Sequence, residues 1–222
     1  RDRFLSHEAD IEAVAGNRTS PLVVATHSGH GELTQLLLES GADANTIGAG
    51  YTALHAAILR GDLAAVQALL DHGADVEARL LRPNSVQRAS EDWVLKAPLV
   101  GATPYWIAAS FREADIMQAL AKAGADPSLT NEGQMSRPRA RADRNSYTST
   151  VVGGFESTVQ AAVKGDSTRG RYYVQANPNP VGEEQLALAA VKAAAESGVN
   201  LNHRDYTEST ALHDAAARKL PN

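Results

Sequence analysis

The chain has 222 residues, with 21 Lys and Arg against 26 Asp and Glu and no cysteine. The missing cysteines exclude a disulfide framework, a cysteine nucleophile and thiolate metal sites, and the formal charge of −5 disfavours nucleic-acid or membrane-surface binding by the domain as a whole. No apolar run approaches the roughly 18 residues of a membrane span, and aromatics make up 5 % of the chain, so the core must be built from Ala, Leu and Val, which favours closely packed helices over an aromatic-rich sandwich.

The chain opens on Arg1-Asp2-Arg3, without a start methionine or a signal-peptide pattern. That leaves the compartment, cytoplasmic or exported, unassigned. Ser20-Pro21-Leu22 then reads as a helix start, with a hydroxyl N-cap followed by proline at the first helical position. A second helix carries Leu33, Leu36 and Leu37 and stops at Gly41-Ala42-Asp43. The same layout returns at once. Thr52-Ala53-Leu54-His55 starts a helix containing Ala56, Ala57 and Ile58, and Gly61-Asp62 breaks it. A stripe of Leu63, Val66, Leu69 and Leu70 at helical spacing follows, ending at Gly73-Ala74-Asp75. A third unit runs from Thr103-Pro104-Tyr105 through Ile116 and Leu120 to Gly124-Ala125-Asp126. In all three units 21 positions separate the cap from the glycine. Later the unit is present only in parts. Phe155 to Lys164 has a helical pattern and reads as a displaced first helix. Asn177-Pro178-Asn179-Pro180 leads into a helix from Glu183 to Glu196, then Gly198-Val199-Asn200, and a last start stands at Thr210-Ala211-Leu212-His213.

Fixed spacing of this kind is an internal repeat with a period near 33. Thr52-Ala53-Leu54-His55-Ala56-Ala57 and Thr210-Ala211-Leu212-His213-Asp214-Ala215, with the endings Leu37 to Asp43 and Leu69 to Val76, resemble the ankyrin repeat family, in a bacterial-type form with two insertions. The resemblance implies an all-α solenoid of stacked helix pairs joined by β-hairpin or loop fingers. It also implies a protein-binding role, and a histidine at the His55 and His213 positions that ties neighbouring repeats through backbone hydrogen bonds. We expect one ankyrin domain over 1–222, with about five full or partial repeats. Neither end shows a polar capping repeat, so the chain is expected to be a segment of a longer array.

The repeat breaks in two places. Residues 83–101 are an insertion between repeats, and residues 136–181 are a basic insertion within a distorted repeat, with seven Lys and Arg against three Asp and Glu. Trp106 stands where His55 and His213 stand, and Arg112 stands where Gly29 and Gly61 stand. Four aromatics (Trp93, Tyr105, Trp106 and Phe111) fall within 93–111. They read either as an aromatic hot spot or as an insert folded back to bury Trp93 and Trp106 together. The basic insertion reads as a grip for an anionic partner or as a solvated loop.

The function expected is non-catalytic binding of another protein by a concave face. Finger segments Ile47–Tyr51, Glu77–Arg82, Pro83–Gly101, Leu129–Gln134 and Leu201–Ser209 would form that face. Its candidate contacts are Tyr51, Trp93, Trp106 and Tyr206, with Arg137, Arg139 and Arg141 for an anionic partner. No catalytic residue, metal site or cofactor is expected. His27 and His30, with Glu32 nearby, lack a firm third ligand, and Gly165-Asp166-Ser167 before Gly170 reads as a turn. Two alternatives stand beside this one: a hydrolase-like enzyme or small-molecule binder with a site under the two insertions, and a scaffold that self-associates through its open ends.

Overall fold

Each inner helix begins on a hydroxyl. In the computed structural model, which describes residues 10–16, 18–83, 95, 99–131, 134–135, 151–152, 156–166, 180–205 and 207–217, Ser20 caps α1 (Pro21–Ser28), Thr52 caps α3 (Ala53–Arg60), Thr103 caps α5 (Pro104–Ser110) and Ser157 caps α7 (Thr158–Lys164). In each, the side-chain oxygen accepts a backbone N–H of the first turn, a donor that has no partner within the helix. The outer helices are α2 (Gly31–Glu39), α4 (Leu63–Asp71), α6 (Ala114–Lys122) and α8 (Pro180–Glu196). α9 (Ala211–Ala217) is the inner helix of a fifth unit. Inner helices stack in the order α1, α3, α5, α7, α9 and outer ones in the order α2, α4, α6, α8. The fold is the all-α solenoid expected, and α7, which lies within the 136–181 stretch read as an insertion, takes its place in the stack between α5 and α9.

Every letter of the Gly-Ala-Asp string has a physical task. Gly41, Gly73, Gly124 and Gly198 have φ between 78° and 96°, the left-handed conformation that lets the chain reverse after an outer helix. The next residue (Ala42, Ala74, Ala125 or Val199) is buried, and its N–H returns to a carbonyl of the helix just ended. The third accepts from the N–H two residues on: Asn45 to Asp43, Glu77 to Asp75, Ser128 to Asp126 and Asn202 to Asn200, at 2.8–2.9 Å. This is the local turn that short polar side chains favour.

In three of the turns the residue two places after the aspartate then reaches along the stack. Glu12 accepts from Asp43 N–H at 2.8 Å, Asn45 from Asp75 N–H at 2.7 Å and Glu77 from Asp126 N–H at 2.6 Å. The last of these rungs spans the first insertion without a break.

Among the described residues the fingers at 43–51 and 75–82 are turns rather than strand hairpins. Backbone bonds join neighbours laterally: Leu81 N–H donates to Gly50 at 2.8 Å, and Leu80 and Ala102 are joined at 3.0 Å. Among the described residues the strands are β1 (Gln134–Met135) and β2 (Val151–Val152), antiparallel with Gln134 opposite Val152. They bring together two positions flanking the first part of the basic insertion.

His55 is fully buried, and the Thr52 N–H donates to its Nδ1 at 3.1 Å. Nδ1 is therefore the acceptor, and the ring proton sits on Nε2. The histidine completes the cap of its own helix. At the equivalent positions Trp106 and Gln160 the side chain ties to the next repeat. The Trp106 indole N–H donates to the Glu156 carbonyl at 2.9 Å, and the Gln160 amide donates to the Ser209 carbonyl at 2.9 Å. Each accepting residue directly precedes the next N-cap.

Burial pushes the His55 pKa down from 6.5 to about 4, against the opposing pull of the Ala78 backbone and Asp75. The unfolded chain binds this proton more readily, so stability is intact above pH 6.5 and falls as the pH drops toward 4. About 3 kcal/mol of acid sensitivity is expected from this group. Urea midpoints recorded from pH 7 to pH 4 should show it, and a His55→Gln chain should lack most of that slope.

Candidate functional site

The inner helices decide what surface the solenoid offers. The residue four places after each N-cap is Val24, Ala56, Ile107 or Ala161. Val24 is 47 % exposed, and the other three are buried. Neither α3, α5 nor α7 has an exposed residue. A helix apolar on all sides must be covered on all sides, and these three are. α1 differs, since Val24 and Ser28 are open to solvent.

Two of the residues singled out from sequence are withdrawn from a surface by this packing. Tyr51 is 7 % exposed, with its ring 6.3 Å from the His27 ring, centroid to centroid, at a 50° tilt. Burial pushes its hydroxyl pKa up, and the Thr19 side chain opposes that shift. Trp106 is 4 % exposed and spends its indole N–H on Glu156. As partner contacts these two are corrected to packing residues: both rings lie in the stack, and neither offers a face to a second molecule. Trp93, Tyr206, Arg137, Arg139 and Arg141 lie outside the described residues.

Exposed apolar side chains sit elsewhere. Leu81 is 53 % exposed beside a fully buried Leu80. Successive side chains of an extended segment point to opposite sides, so one leucine anchors the finger and the next faces solvent. Val14 and Leu201 are exposed in the first and last described fingers. Neither exposure is legible in the sequence, since Leu80 and Leu81 are the same residue type and the equivalents of Val24 are apolar too.

Fixed charges at the fingers are occupied structurally. Arg79 donates to the carbonyls of Gly101 and Thr130 at 2.5 and 3.1 Å, and Arg82 donates to that of Gly48 at 3.0 Å. Glu77 is raised in pKa by burial, with Asp126 and Asp75 adding to the shift, while its bond from the Asp126 N–H and the Arg79 charge oppose it. Among the described residues no three His, Asp or Glu side chains converge as metal ligands. An open groove of about 640 Å³ is lined by Gly29 to Leu33 and Leu36, and one of about 450 Å³ lies between α4 and α6. Neither includes Trp106 or a residue bordering an insertion, so neither supports a site beneath the insertions. No helix among the described residues is long and apolar enough to cross a membrane.

Residues 2–80 match the family model for ankyrin repeats, described as three copies. The match ends at Leu80, just before the first insertion. No curated protein matches the chain.

Proposed function

This chain is an ankyrin repeat protein, and from that we propose that it is a non-catalytic module binding another protein through its fingers and the open side of α1. Ankyrin repeats are in general protein–protein interaction modules. The observation that carries the surface is the exposure of Leu81 and Val24 beside inner helices α3, α5 and α7 that are closed. An exposed apolar side chain on a rigid scaffold gains free energy when a partner covers it, about 25 cal/mol per Å² buried. Trp93 and Tyr206 are proposed to add aromatic contacts at neighbouring fingers. Arg137, Arg139 and Arg141 are proposed to meet an anionic part of the partner.

A chain carrying Val24→Asp and Leu81→Asp tests this. Both sites are solvent-facing, so folding stability should change by no more than about 0.5 kcal/mol each. Capture of partner protein from source lysate should fall at least about tenfold, the scale of a single hot spot. Undiminished capture by the doubly substituted chain, with helicity unchanged, would sink the proposed surface. Trp93→Ala, assayed in parallel, asks the same of the first insertion.

A further inference from the structure

Both insertions leave the stack at the same point of neighbouring fingers. The fifth residue after the turn aspartate or asparagine is Leu80 in the second finger, Asn131 in the third and Asp205 in the fourth. Asp205 accepts the N–H of Ser209, just before Thr210, at 3.1 Å. Asn131 accepts the N–H of Glu156, just before the N-cap Ser157, at 3.0 Å, although 25 positions separate the two. In the second finger the Leu80 N–H donates to the Ala102 carbonyl at 3.0 Å, just before the N-cap Thr103, and the Gly101 N–H donates to the Leu80 carbonyl at 2.8 Å. Each insertion is thus a finger drawn out at its tip and rejoined at its base. With α7 counted in the stack, the second insertion is 132–155, and β1 and β2 pair just beyond its base.

Arg79 joins the two bases. Its Nη1 donates to the Gly101 carbonyl, where the first insertion returns, at 2.5 Å. It also donates to the Thr130 carbonyl, where the second departs, at 3.1 Å. A charged donor makes such bonds stronger than a neutral one would. The equivalent residues do not link fingers in this way: Ile47 and Thr130 carry no charge, and Arg204 pairs with Glu208 of its own finger.

We propose that the two insertions act as one binding element, rooted side by side through Arg79 as a positioning residue, and that one acidic protein surface meets both. This rests on the protein-binding reading above. Residues 132–155 hold four arginines against two acidic residues in a chain of formal charge −5, which complements an acidic surface. The exposed Leu81 stands where the first insertion departs. Without Arg79 each insertion keeps its own base but loses its fixed relation to the other, so a partner touching both must order them on binding.

Hydrogen exchange on the full chain, with no partner present, tests the link. Arg79→Met should raise exchange at Gly101 and Glu156 by about tenfold or more and leave α3 amides unchanged. Arg82→Met removes the same charge from the same finger, where Arg82 bonds to the Gly48 carbonyl, and should leave Glu156 unchanged. Binding of labelled poly-L-glutamate, read by anisotropy at low salt, tests the shared partner. Arg79→Met should weaken it about threefold more than Arg82→Met does. Unchanged exchange at Gly101 or Glu156, or equal loosening of α3, would overturn the link while the protein-binding reading stands. Loosened bases with equal loss of binding in the two variants would overturn the single element. Failure of the parent chain to bind polyglutamate, or tighter binding of a DNA duplex, would overturn the acidic protein partner.

Discussion

Arg112→Met is expected to destabilise the protein by about 3–5 kcal/mol, the scale of breaking a buried ion pair from one side. The guanidinium is buried and tied to two further segments at once. Its Nε donates to the Ala162 carbonyl and its Nη2 to the Val163 carbonyl, each at 3.0 Å, and its Nη1 pairs with the Glu183 carboxylate. The first two bonds satisfy carbonyls at the end of α7, and the third fixes the start of α8. The residue lies at φ 60°, at a position where the first two repeats carry glycine, so its backbone strain of about 1 kcal/mol is offset by those contacts. Gly165 faces the guanidinium so closely that a Cβ there would stand 2.5 Å from it. Arg112→Gly relieves the strain but loses the contacts, so it should still be destabilised by roughly 2–4 kcal/mol. Urea denaturation followed by circular dichroism measures both, and the loss of exchange protection should concentrate in α7 and α8. A glycine variant as stable as the parent chain would show that the bridge contributes nothing.

Trp106→Ala is expected to cost about 3–5 kcal/mol, because it empties a buried aromatic site and leaves the Glu156 carbonyl without its donor. Trp106→Phe keeps most of the volume and should lose about 1–2 kcal/mol, largely the hydrogen bond. The pair separates a packing role from a contact role. If Trp106 holds repeats together, the folded fraction of Trp106→Phe captures partner as well as the parent does. A Phe variant with full stability and weakened capture would return Trp106 to the binding surface.

The repeat was legible because each recurring letter does a local job. The caps at Ser20, Thr52 and Thr103, the left-handed turns at Gly41, Gly73 and Gly124, and the aspartate turns after them all act within a few residues. Local chemistry of that kind leaves a periodic trace. The helix read over Phe155 to Lys164 from apolar spacing runs Thr158–Lys164, because the capping box of Ser157 and Gln160 sets its start. Trp106 was misread as a contact because an aromatic residue in a broken repeat looks the same whether it is buried or exposed. Its partner, Glu156, lies 50 positions away across the basic insertion.

By itself the sequence determined an all-α ankyrin solenoid, the caps and turns of its first three units and its two departures from period, while α7 and α8 start at Thr158 and Pro180 rather than at Phe155 and Glu183. These are set by turn geometry and apolar spacing, which are short-range. Only the tertiary structure decided which apolar positions face solvent. Val24 and Ala56 share a register position and differ in exposure because the stack covers one and not the other. It also decided that Arg112, set in a glycine's place, spans α5, α7 and α8, and that Lys164 gathers carboxylates from three segments. Apart from Lys164 and Glu156, those juxtapositions join residues 41 to 71 positions apart, a separation over which one chain's letters carry no signal of contact.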